Sequence, residues 1–251
     1  NGNEKGYRGG YGTTDPYGEG PTGYVSDGGG QAGSGLSEGQ GAGGGAYGGD
    51  GGDGGAAYGG SPVGNLGGTA YGSAATDEIQ MGSGGGGNQD SYFGGAGGGA
   101  VYLQASGNIT VAGSITMNGG TPTDQLSAPA GGAGGGILLK STGGNVTISG
   151  TVTANGGDGA ADKSSDGQYA GGGGGGGAGG RIKVFYSSDY DTSGSTITVA
   201  GGAAGAQYQT PEAGSTGSIQ YINFDATPIT PTQEETSTFP NLKASTTQPI
   251  I

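Results

Sequence analysis

Four times along this chain a run of glycines gives way to a short alternating apolar segment, and the first two copies match almost residue for residue. The first enters through Ala96-Gly-Gly-Gly and runs Ala100-Val-Tyr-Leu-Gln-Ala105, Asn108-Ile-Thr-Val111 and Ser114-Ile-Thr-Met117, closing on Asn118-Gly-Gly120. The second enters through Ala133-Gly-Gly-Gly and runs Ile137-Leu-Leu-Lys140, Asn145-Val-Thr-Ile148 and Thr151-Val-Thr-Ala154, closing on Asn155-Gly-Gly157. A looser third copy holds Arg181-Ile-Lys-Val-Phe-Tyr186 and Ser195-Thr-Ile-Thr-Val199, and a fourth begins at Ser218-Ile-Gln-Tyr-Ile222. Counted from Ala100, Ile137, Ile182 and Ile219, the copies are 37, 45 and 37 residues apart, a period that marks stacked supersecondary units.

Within one copy the alternation has period two, so each run is a strand with one apolar and one hydroxyl-bearing face. In the first copy the predicted strands are Val101 to Ala105, Asn108 to Val111 and Ser114 to Met117, with corners at Ser106-Gly107 and Ala112-Gly113. Three strands in about twenty residues describe one turn of a β-helix. Stacked copies would set Ile109 over Val146 and Ile115 over Val152 in apolar columns, and Thr110 over Thr147 and Thr116 over Thr153 in hydroxyl columns. No window has a 3.6-residue apolar period. The fold class read from the pattern is all-β: a parallel β-helix or solenoid of rungs with extensive ordered Gly-rich loops and almost no helix.

Composition changes this picture in one way. Leu, Ile, Val and Phe make up only 31 of 251 residues, 25 of them after residue 100, while Gly supplies 71. The apolar core is therefore narrow, and each ordered glycine costs the most backbone entropy of any residue. Such a chain needs dense backbone hydrogen bonding, neighbours, or both. The lack of a Gly-X-Y period excludes collagen, but Gly-rich strands of polyproline-II type can still pack closely where side chains are missing. On that reading residues 1–75 are a Gly/Tyr-rich segment laid over the scaffold, residues 76–224 the β-helix repeat domain, and residues 225–251 an extended Thr/Pro-rich tail. The tail carries apolar anchors at Ile229, Phe239, Leu242, Ile250 and Ile251, suited to lying along the sheet edge of a neighbouring subunit.

Charge and residue types narrow the chemistry. There is no Cys or His, which removes disulfides, thiolate chemistry and the usual zinc ligand sets. A net charge of -13 with only seven basic residues speaks against nucleic acid, and no stretch reaches the length of a membrane span. The first residue is Asn rather than Met, as expected after removal of a signal peptide or after trimming of the chain. Asp50 and Asp53, and Asp158 and Asp162, sit on Gly-rich loops that could offer oxygens to calcium, although turn and solubilising roles account for them too. Asn108-Ile-Thr and Asn145-Val-Thr are glycosylation acceptor patterns at equivalent places in two copies. No constellation suited to acid–base or nucleophilic catalysis is present, and neither a cofactor nor an enzymatic activity is expected.

The order of motifs resembles a family of glycine-rich exported bacterial and archaeal surface proteins with β-helix-type repeats. The residues that carry the likeness are Gly67-Gly-Thr-Ala-Tyr71-Gly72, Gly82 to Gly87, Gly94 to Gly99, Gly150-Thr-Val-Thr-Ala-Asn155-Gly-Gly157 and Gly179-Gly-Arg181-Ile182. The resemblance implies an extracellular or cell-surface location and an architecture, not a reaction. The function expected is that of a structural subunit assembling with copies of itself into an extracellular filament or surface layer. The alternative is a monomeric adhesin or a module that binds ice or a surface polysaccharide.

Overall fold

A computed structural model describes residues 7–10, 17–21, 23–24, 28–30, 39–56, 64–88, 92–123, 128–161, 171–206 and 210–224. Among these the chain is all-β and contains no helix. A two-residue antiparallel pair, β1 (Glu19–Gly20) and β2 (Gly23–Tyr24), precedes the repeats. The repeats supply β3 (Ala100–Ala105), β4 (Ile109–Val111), β5 (Ser114–Thr116), β6 (Gly136–Ser141), β7 (Val146–Ile148) and β8 (Thr151–Thr153). They continue with β9 (Arg181–Tyr186), β10 (Tyr190–Asp191), β11 (Thr196–Thr198) and β12 (Ser218–Asn223). Strands from successive copies pair in parallel in three sheets, ordered β12-β9-β6-β3, β10-β7-β4 and β11-β8-β5. Each of the first three copies thus gives one strand to each sheet in the same order, and the fourth gives β12 to the first sheet, an arrangement compatible with a β-helix.

Register follows the apolar columns. Ile109 lies opposite Val146 and Ile115 opposite Val152, as the alternation predicts. In the first sheet, however, Val101 pairs with Ile137 and Ala100 with Gly136, so that copy-to-copy offset is 36 rather than 37. The reason is local: the corner Thr142-Gly143-Gly144 carries one residue more than Ser106-Gly107, and the extra glycine restores the 37-residue offset before β7. A one-residue slip would otherwise turn every later side chain to the opposite face.

The inward positions form one core of Val111, Ile137, Leu139, Val146, Ile148, Val152, Ala154, Ile182, Val184 and Val199. Fully burying side chains of this size is worth about 1.5–3 kcal/mol each. β6 and β9 differ from the other strands in being buried on both faces. The cover on their outer face is the segment 71–81, where the Ile79 side chain and the Gln80 carbonyl lie against Gly136 so closely that a Cβ there would collide with both.

The glycine runs are held differently. Along residues 172–180 the N–H groups of Gly172, Gly175 and Ala178 donate to the carbonyls of Gly39, Ala42 and Gly45. Those of Gly174, Gly177 and Gly180 donate to Ala160, Gly157 and Ala154, and those of Gly176 and Gly179 to Glu212 and Ser215. Every third residue therefore faces the same neighbour, and one extended segment is hydrogen-bonded to three others. Three residues per turn is the polyproline-II repeat. Neighbouring backbones meet with nothing between them: a Cβ on Gly44 would lie 2.0 Å from the Gly176 carbonyl oxygen, and one on Gly176 would lie 2.1 Å from that of Gly202. These distances are far inside van der Waals contact.

Replacing Gly176 with Ala is expected to lower stability by about 3 kcal/mol or more, since only backbone could move aside. Gly113→Ala is the matched control, because no heavy atom lies within 4 Å of a Cβ there. Thermal melts of both variants check the pair; equal melting temperatures would contradict the packing.

Candidate functional site

Two buried cations on β9 join the glycine layer to the first sheet. Arg181 points outward and its Nη2 donates to the carbonyls of Tyr71 (2.9 Å), Tyr47 (3.3 Å) and Gly72 (3.3 Å), while Nη1 donates to Ser218 Oγ (3.0 Å). Its guanidinium carbon also stands 5.5 Å from the centre of the Tyr47 ring, within the range of a cation–π contact. Two residues on, Lys183 is almost completely buried, and its Nζ donates to the carbonyls of Ser73 (2.5 Å), Thr76 (3.0 Å) and Glu78 (2.5 Å). All three ammonium protons are used. Burial pushes Lys183 below the ordinary lysine pKa, and the neighbouring Arg181 charge adds to the effect. Tyr47 and Tyr71 pack 5.0 Å apart beside this cluster. The Tyr71 hydroxyl donates to the Met81 carbonyl and accepts from Ser83 Oγ, and the Tyr47 hydroxyl accepts from the Gln80 N–H.

Among the described residues the ends of the three sheets are open. The sheets stop at β3, β4 and β5 on one side and at β12, β10 and β11 on the other. Leu103 is in register with Leu139, and Leu139 with Val184, both completely buried, yet Leu103 itself is 41% exposed. It holds the same place in the column without the next layer to cover it. At the opposite end the same column finishes in Tyr221, whose ring stacks on Tyr190 at 4.5 Å, and Tyr190 in turn meets Tyr186 at 4.9 Å. Tyr102, Leu103, Tyr190 and Phe224 are large exposed apolar side chains at or next to these end strands.

A third feature runs along the side of the stack. The outward residues of β5, β8 and β11 are Ser114 and Thr116, Thr151 and Thr153, and Thr196 and Thr198, in register across the three strands. Thr153 Oγ1 lies 3.4 Å from Thr116 Oγ1. Past the strand ends, side chains carry the ladder on. Asn118 Oδ1 accepts from the Asn155 N–H (2.8 Å), and Asn155 Oδ1 from the Ala200 N–H (2.8 Å). Thr121 Oγ1 accepts from the Asp158 N–H (3.0 Å), and Asp158 Oδ1 from the Ala203 N–H (2.7 Å).

The residues singled out from sequence occupy separate places. Asp50 Oδ1 accepts from the Ala70 N–H (2.6 Å) and Asp53 Oδ1 from the Gly67 N–H (2.8 Å), so each ties one glycine segment to another. Asp158 belongs to the ladder just described, and Asp162 lies outside the described residues. Among the described residues no three acidic side chains converge on a common point. Asn108 is exposed, and its Oδ1 accepts from the Asn145 N–H (2.9 Å). The tail anchors Ile229, Phe239, Leu242, Ile250 and Ile251 also lie outside the described residues. No helix among the described residues is long and apolar enough to cross a membrane. Sequence reasoning passed over Lys183, Asn118 and Asn155; the recurrence of Asn-Gly-Gly at one place in two copies was the available signal for the asparagines.

Comparison of the chain with family models, with curated proteins and with solved structures finds no match.

Lys183→Met is expected to cost about 1–3 kcal/mol, since three loop carbonyls lose their donor, and to speed hydrogen exchange and proteolysis across residues 71–81. Protection of that segment equal to wild type would contradict the role given to Lys183. A second outcome concerns alkaline pH. Burial raises the phenol pKa of Tyr47 and of Tyr71 above the ordinary value of 10.0. A raised folded-state value means that only the unfolded chain ionises just above pH 10, so the stability these groups contribute is full below that value and lost as pH rises. Tyr71→Phe is expected to flatten this loss in denaturant titrations across the alkaline range, while costing about 1 kcal/mol at neutral pH.

Proposed function

We propose that this protein is a structural subunit of an extracellular filament or surface layer, built by end-to-end stacking of copies whose β-strands form a solenoid. The observation that carries the reading is the pair of open ends: among the described residues the sheets stop in edge strands with no further strand paired to them, and at β3 the core column runs out to solvent at Leu103. Unpaired strand edges recruit further strands. The strands of each sheet all point the same way, so a second copy placed head to tail would set its β3 edge against the β12 edge in parallel pairing. Such a contact is heterologous, and where its rotation does not close it propagates. The apolar side chains at each end, Tyr102 and Leu103 on one and Tyr190 and Phe224 on the other, would be covered in the joint.

The resemblance to glycine-rich exported surface proteins supports the extracellular location. The segment 225–251 would then act as a connector between subunits, through Ile229, Phe239, Leu242, Ile250 and Ile251. A monomeric adhesin or binding module is the competing reading, and the Thr-rich side of the stack favours it.

Negative-stain electron microscopy of the full chain is expected to show filaments or ordered arrays. Leu103→Lys, which places a charge on the β3 edge, should leave single particles with an unchanged circular dichroism spectrum. Monodisperse wild-type particles over a wide concentration range would overturn the assembly reading.

A further inference from the structure

We infer that Tyr190 and Tyr221 form a site of oxidative cross-linking, where a haem-type peroxidase with hydrogen peroxide joins the two rings as dityrosine. The bond forms within one chain and needs no second copy, so it is independent of assembly.

Geometry selects the pair. Tyr190 comes from β10 and Tyr221 from β12, so the two rings belong to different sheets at the last layer of the stack. Their centres lie 4.5 Å apart and their planes diverge by only 16°. Two phenoxyl radicals couple through the π orbitals that stand perpendicular to their rings, so stacked faces are the approach that makes the bond. Tyr186 also meets Tyr190, at 4.9 Å, but is tilted by 47°. Tyr47 and Tyr71 lie 5.0 Å apart with a tilt of 42°, and Tyr47 is only 1% exposed. Orientation and access therefore favour Tyr190 with Tyr221 over either of these pairs.

The surroundings suit the chemistry. Tyr190 is 37% exposed, which lets an oxidant reach it. Tyr221 packs against the core, which holds in place the ring that Tyr190 must meet. The chain has no Trp and no Cys, the side chains that would otherwise drain a tyrosyl radical.

The step balances. Each phenol gives up one electron and its hydroxyl proton. A carbon–carbon bond then forms between the ring carbons ortho to the two oxygens. The hydrogens on those carbons pass through solvent to the oxygens and restore both phenols. One peroxide takes up the two electrons and two protons and leaves as two waters. The new bond would tie the second sheet to the first where, among the described residues, no further strand covers them. It would also close the chain between them into a loop, in a protein that has no disulfide to do so.

The test oxidises the full chain with a haem peroxidase and hydrogen peroxide, as wild type and as Leu103→Lys. In the latter the last layer stays uncovered even if wild-type copies stack. Trypsin with a glutamate-specific protease then places Tyr190 and Tyr221 on separate peptides, 184–212 and 213–234. These peptides should be recovered joined, two hydrogens lighter than their sum and with dityrosine fluorescence. Their yield should exceed that of any other tyrosine pair by about tenfold or more, because the rings are already held in place. Tyr190→Phe and Tyr221→Phe keep the ring and should each abolish the joined species. Tyr17→Phe should leave it unchanged, although Tyr17 is as exposed, at 36%. Joined peptides that survive Tyr190→Phe, or links found only between chains, would overturn the proposal. So would the absence of dityrosine in Leu103→Lys under conditions that couple free tyrosine.

Discussion

The glycine-rich layer of this structure depends on backbone touching backbone. Where Gly44, Gly176 and Gly202 lie side by side, no side chain separates the segments, so no apolar core can form between them. Burying those peptide groups is tolerable only because their N–H and carbonyl groups pair with one another, since an unpaired buried amide costs about as much as several kept bonds gain. A three-residue repeat solves this geometrically by directing successive amides to different neighbours. Glycine is thus a packing requirement here, and its abundance is the price of replacing a side-chain core with a hydrogen-bonded one.

The two kinds of interior must still be joined, and the joint uses cations. Arg181 and Lys183 leave the sheet into a region where the available partners are carbonyls of segments 47 and 71–78. Isolated buried charges are costly, but a ring of carbonyl dipoles replaces much of the lost water, as several acceptors share each charge. An apolar side chain of similar length would fill the same space and leave those carbonyls unpaired. Lys140 pairs with Asp77 at 2.7 Å at the exposed rim, where screening limits an ion pair to a small contribution.

The repeat was legible from alternation because Ile109-Thr-Val111 and Val146-Thr-Ile148 bury one face and hydrate the other. The one-residue offset in the first sheet was not, since Gly143 and Gly144 alter a corner without altering the pattern of either strand. Lys183 was hidden for a related reason. In Arg181-Ile-Lys-Val-Phe185 its polar character suggests a solvated outer face, and only the distant segment 71–81 turns that face into an interior. The open ends show in sequence only as a fourth copy that stops early. The asparagine ladder needed the three-dimensional stacking of copies, because each bond joins residues 37 or 45 positions apart.

Distance along the chain has a consequence for the order in which the molecule comes together. Arg181 bonds to the Tyr47 carbonyl across 134 residues, the Ala42 and Gly45 carbonyls accept from the Gly175 and Ala178 N–H groups, and the Gly52 N–H donates to the Gly176 carbonyl. Residues 41–55 find some partners among residues 28–86, but their bonds to residues 173–179 and 212–215 wait until the ribosome has passed those segments. Contacts this distant repay their loop-closure entropy late. The first part of the chain is made long before its set of neighbours is complete, and its glycine and polar composition leaves little apolar surface exposed to aggregation while it waits.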